Sequence, residues 1–127
     1  KAAGYVTGYV GKWHLKHQTV YNAGFDYFKH WRYGDDHWET PYRDVPSHED
    51  WHVHKGYNAI AMTDQALDFI RQHADGEQPF LMMLSWNPPH WRWDDAPQEF
   101  VDLYPPEKLP FRHNVTEDRH KQGNQLL

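Results

Sequence analysis

The chain has 127 residues and a net charge of −5 with its 11 histidines neutral, a length that allows one small domain with a modest core. A mean hydropathy of −1.01 stands beside 17% aromatic residues and 7 Trp, which excludes a polar disordered chain, because such chains are poor in aromatics. The absence of Cys excludes a disulfide scaffold and a Cys-based site, and the lack of a basic run argues against nucleic acid as partner.

The elements follow in chain order. "KAAG" reads as the end of a helix whose body lies upstream, with Gly4 as its C-cap. Tyr5–Val10 is rich in β-branched and aromatic residues and predicts a short strand. Residues 16–56 show no sustained period and predict a long irregular excursion, a kind of connection that is often functional. From Asn58, a candidate N-cap, Ala59, Met62, Ala66, Phe69 and Ile70 recur at helical spacing until Gly76. Pro79–Ser85 is a continuous apolar run of strand length, which predicts a strand covered on both faces. Two prolines in "WNPPHW" end it, and later prolines mark an irregular excursion with one helical turn around Glu99–Leu103. No apolar run approaches the roughly 18 residues of a membrane span. The chain starts at Lys1 without Met and stops at Leu126 and Leu127, where an apolar segment begins. It is therefore expected to be one part of a single longer domain, truncated at both ends.

A strand, a crossover with a helix and a second strand predict half of an α/β sheet. In such sheets ligands bind outside the carboxyl ends of the strands. If the two strands are parallel, Lys12 and His14 after the first and His90 after the second share one edge. In extended chain, residues two apart point the same way, so Lys12 and His14 can face a ligand while Trp13 points into protein. Lysine supplies a fixed positive charge and histidine exchanges a proton near neutral pH, a pairing suited to an anionic substrate. The spacing by itself is better served by a solvated lysine and a histidine bonded to a backbone carbonyl. A phosphate-binding P-loop is ruled out, because Val6 and Trp13 stand where its glycine and Ser/Thr belong.

Several segments carry a more specific signal. "AGYVTGYVGKWHL" resembles the second signature of the formylglycine-dependent sulfatases of the alkaline phosphatase superfamily. "GFDYF", "TDQALDFI", "QPFLMMLSWNPPH" and "LPFRHNV" resemble later segments of that family, in family order. The resemblance implies an alkaline-phosphatase-like α/β sandwich with a central, mostly parallel sheet flanked by helices. It implies hydrolysis of a sulfate ester of a small molecule or glycan, the alcohol being a carbohydrate or a phenol. Lys12 matches the lysine that contacts the sulfate and the formylglycine. His14 matches the histidine bonded to the formylglycine hydroxyl, and His90 the histidine that contacts the sulfate and protonates the leaving oxygen. The family's cofactors are formylglycine, made from Cys or Ser in a C/S-x-P-x-R motif, and a divalent cation, usually Ca²⁺. That motif does not occur here, and the family's metal-binding Asp and Asn clusters fall outside the matched region, so no metal ligand is assigned to this chain.

Trp91 and Arg92 follow His90 as candidate substrate contacts, one stacking on a sugar, the other pairing with a second sulfate or a carboxylate. Arg92 stands where the family more often has proline, which puts the loop path in question. Asp35-Asp36-His37 matches no standard metal spacing, and His48, His52 and His54 are expected to be loop-packing histidines. "NVT" at Asn114 is a glycosylation sequon. The readings that compete are a phosphonate or phosphate ester hydrolase of the same superfamily and a non-catalytic sugar-binding relative.

Overall fold

In the computed structural model, residues 2–15, 23–31, 34–44, 51–110 and 112–114 are described. The first strand, β1, runs Val6–Lys12. Its alternation sends Tyr9 to one side of the sheet and Val10 to the other, and both are buried. Four more strands follow: β2 Tyr27–Trp31, β3 Pro41–Asp44, β4 Trp51–Val53 and β5 Phe80–Ser85. They form one sheet in the order β4-β3-β2-β1-β5. Its centre is parallel: β1 pairs with β2 from Gly8↔Tyr27 to Lys12↔Trp31, and with β5 from Val6↔Phe80 to Gly11↔Ser85. Antiparallel β3 and β4 extend the far edge.

The excursion expected over residues 16–56 is therefore corrected. Three strands lie within it, and its residues 16–22, 32–33 and 45–50, with the candidate His48, fall outside the described residues. These strands are too short to show a period. The neighbour supplies what their own pattern lacks: the Arg43 guanidinium sits 4.0 Å from the Trp51 ring centroid, and the Tyr42 ring lies 4.2 Å from that of His54.

Helix α1, Asn58–His73, crosses one face. Met62, Ala66 and Phe69 fall on one stripe and are buried. Met62 joins Val10 and Trp31 in a cluster with Tyr27, Met82 and Leu84 against it. The Phe69 ring packs 5.4 Å from Tyr27 and 5.8 Å from Phe80. Burying Met62 and Phe69 fully stabilises the layer by roughly 1.5–3 kcal/mol each. Two expectations about the helix ends change. Tyr57 is the N-cap and Asn58 the first helical residue; its buried amide instead donates to Asp36 O (3.1 Å) and Thr40 Oγ1 (3.0 Å). The helix stops at His73 with Ala74 as its C-cap, ahead of Gly76.

On the other face Tyr9, Trp13 and Phe28 make a second aromatic cluster with Ala23 and Phe25. Tyr9 meets Trp13 edge-on at 5.0 Å and Phe28 at 5.1 Å. Trp13 is buried, as its position between Lys12 and His14 predicts. β5 departs from expectation: burial alternates along it, with Leu81 49% and Met83 48% exposed. It is the last strand on its side, and among the described residues only the α1 face is packed. No helix among the described residues is long and apolar enough to cross a membrane. The residues from Pro97 form a second unit, which carries helix α2, Gln98–Val101, and a 3-10 turn at Pro106–Lys108.

Candidate active site

β1 and β5 run parallel, so both release their chains at the same edge of the sheet. Gly11 sits opposite Ser85 with φ 138°. A Cβ there would lie 2.1 Å from the Ser85 carbonyl oxygen, so only glycine lets the two strand ends approach this closely. The Trp13 amide then donates to Trp31 O at 2.8 Å, holding the chain between Lys12 and His14 against β2. After β5, the chain turns through Asn87, Pro88 and Pro89, with a cis Pro88–Pro89 bond, and the His90 amide donates to Asn87 O at 2.9 Å.

Lys12 and His90 meet at the carboxylate of Asp35, and His14 lies near enough for its charge to act on it. The Lys12 ammonium donates to Asp35 Oδ1, and His90 Nδ1 lies 3.4 Å from that same oxygen. The Lys12 hydrogen bond, reinforced by the charges of Lys12, His90 and His14, holds the Asp35 carboxyl below its ordinary range despite some desolvation. His90 keeps about half its side chain in solvent, whereas Lys12 is 12% exposed.

Beside His90 lies a cleft of about 190 Å³, lined by His37, Tyr57, Pro88, Pro89, His90, Arg92, Trp93, Asp95 and Ala96. Its wall is cross-linked. Arg92, in the left-handed region at φ 78°, pairs with Asp36 at 2.6 Å and with Asp95 at 3.8 Å. His37 Nδ1 lies 2.6 Å from Asp95 Oδ1, the Trp38 indole donates to Asp95 O and the Trp93 indole to Pro89 O. Of the two expected substrate contacts, Arg92 lines the cleft with its charge engaged by Asp36, and Trp91 is exposed and outside the lining. The tryptophan that lines the cleft is Trp93.

In sequence Asp35-Asp36-His37 stands out only as a non-standard metal spacing; the fold sets the three beside Lys12, His90, Arg92 and Asp95. An ammonium and imidazoles around one carboxylate suit an anion rather than a cation. Among the described residues no group of three or more His, Asp or Glu could hold a metal ion. His54 packs against Tyr42 and Trp31.

The family model for sulfatases matches residues 1–126. This chain belongs to the sulfatase family. The sulfatase segment is 35% identical over 123 residues to an ulvan-active sulfatase of Formosa agariphila, covering 91% of this chain and 24% of that protein. It is 33% identical over 124 residues to an N-acetylglucosamine-6-O-sulfatase of Bacteroides thetaiotaomicron, covering 95% and 21%. It thus spans about a quarter or less of these relatives. A solved structure of a protein in complex with its substrate D-glucosamine-2-N,6-O-disulfate superposes with a TM-score of 0.67 at 27% identity, over 89% of this chain and 22% of that one. Its α/β arrangement is thus that of the alkaline-phosphatase-like sulfatases.

Proposed function

We propose that this chain is a segment of one sulfatase catalytic domain whose whole protein hydrolyses sulfate esters of a carbohydrate, with Lys12, His14 and His90 in its active site. The observation that carries the reading is the meeting of Lys12 and His90 on one oxygen at the shared edge of two parallel strands. The carbohydrate is favoured over a simple aryl alcohol because one relative is named as an N-acetylglucosamine-6-O-sulfatase and a solved neighbour holds D-glucosamine-2-N,6-O-disulfate as its substrate. A cleft with the Trp93 ring and the His37–Asp95 pair in its wall suits a polar ring.

In this reading Lys12 places fixed charge against the sulfate oxygens, where charge develops as the S–O bond to the alcohol breaks. His90 delivers a proton to the departing sugar oxygen, and His14, exposed at the end of β1, faces the nucleophile. Formylglycine would supply the nucleophilic hydroxyl and Ca²⁺ additional positive charge, each from residues other than those of this segment. Trp91 stacks on the sugar beside the cleft, and Arg92, held by Asp36, pairs with a second sulfate or a carboxylate of the substrate.

The test uses the full-length protein that carries this segment, assayed on a sulfated sugar, an activated aryl sulfate and a phosphate ester. Lys12→Ala is expected to lower kcat/KM for both sulfates on the order of 10²–10³-fold. His90→Ala is expected to cost far more on the sugar than on the aryl sulfate, because an activated phenolate leaves without a proton. Undiminished rates for Lys12→Ala would overturn the reading. Preference of the wild type for the phosphate ester would move the protein to a phosphohydrolase role.

A further inference from the structure

The side chain that ties the site together is outside the residues expected to act. Asp35, Asp36 and His37 each grip a different group: Asp35 holds Lys12 and faces His90, Asp36 pairs with Arg92, and His37 pairs with Asp95. The stretch is itself pinned to the start of α1. Asp36 O accepts from Thr40 Oγ1 at 2.8 Å and from the buried Asn58 amide, and His37 O accepts from Asn58 N at 2.7 Å. A carboxylate beside an anion site repels the substrate, a cost that persists only if the carboxylate serves the groups around it.

We propose that Asp35 is the positioning residue of this site, aligning Lys12 with His90; the proposal rests on the sulfatase reading above. Its Oδ1 takes one of the three ammonium N–H groups of Lys12 and leaves two for substrate oxygens. The same oxygen faces the Nδ1 edge of His90, which makes Nε2 the ring nitrogen offered to the leaving oxygen. Asp35 touches neither substrate nor nucleophile in this role; it acts through Lys12 and His90.

The test is Asp35→Asn, which keeps the shape and removes the charge, in the full-length protein. On a sulfated sugar kcat is expected to fall about 10–100-fold with KM changed far less. The loss on an activated aryl sulfate is expected to be smaller, following the pattern of His90→Ala. In the His90→Ala background the further loss on the sugar should shrink to a few-fold, since residues acting through one another are not additive. Equal losses on both substrates that simply multiply in the double variant would overturn the proposal, as would an unchanged kcat. A lowered KM with intact kcat would overturn it too, by showing Asp35 to be a competitor of the substrate. A second readout needs no turnover: ¹⁵N shifts of the histidine rings in the wild type and Asp35→Asn. A change in the His90 tautomer pattern supports the proposal even if the protein hydrolyses some other ester, and an unchanged pattern overturns it even if sulfate is the substrate.

Discussion

Gly11 shows how far one residue controls the site. Its φ of 138° and the 2.1 Å gap that a Cβ would meet at Ser85 O leave no room for a side chain. Gly11→Ala is expected to part β1 from β5 and cost on the order of 3 kcal/mol or more, read as a fall in the urea midpoint of the full-length protein. Lys12 and His90 would separate with the strands, so activity should fall further than stability. His54 controls stability instead. Burial among Tyr42 and Trp31 pushes its pKa down from 6.5 to about 4. The folded state keeps it neutral while the unfolded chain takes up a proton, so its contribution is intact above pH 6.5 and shrinks as pH falls toward 4. The cause is desolvation of the charged imidazole. Unfolding at pH 7.5 and 4.5 should show a smaller difference for His54→Phe than for the wild type; identical differences would refute the assignment.

At the scale of elements, α1 was legible because its stripe of Met62, Ala66 and Phe69 repeats at helical spacing, and the structure puts that stripe against Val10, Tyr27 and Phe80. Phe69→Ala should cost about 3–5 kcal/mol, since it empties the space between helix and sheet; a change in thermal midpoint of less than a degree or two would contradict this. β2, β3 and β4 were not legible. A strand of three to five residues shows too few alternations to stand out, and here Lys29, His30, Arg43 and His52 occupy positions where a pattern reader looks for apolar residues. Their pairing is decided across the sheet, by contacts such as the Lys29–Asp44 ion pair at 2.7 Å.

At the scale of the molecule, the sheet ends at β5 with Leu81 and Met83 about half exposed and one strand edge without a neighbour among the described residues. Such an edge invites pairing with other chains. The 127 residues expressed alone are expected to associate or unfold readily and to turn over no sulfate ester, because the nucleophile motif is not in this sequence. Turnover of an aryl sulfate by the purified 127-residue chain, free of contaminating sulfatase, would contradict this.

By itself the sequence marked the two strands, the helix between them and the Lys12, His14 and His90 that follow their carboxyl ends; the parallel pairing came from the fold. Each of those signals is local: a β-branched run, a repeat of 3.6, a glycine before a lysine and a histidine. Tertiary structure alone decided what surrounds that chemistry. Asp35 lies 23 residues from Lys12, and no pattern along the chain marks it as the partner of both Lys12 and His90. Asp36 and His37 likewise find Arg92 and Asp95 only across the fold. A carboxylate beside a histidine reads the same in sequence whether it binds a metal, caps a turn or positions a cation. Which of these it does depends on what the closing sheet brings within hydrogen-bond reach.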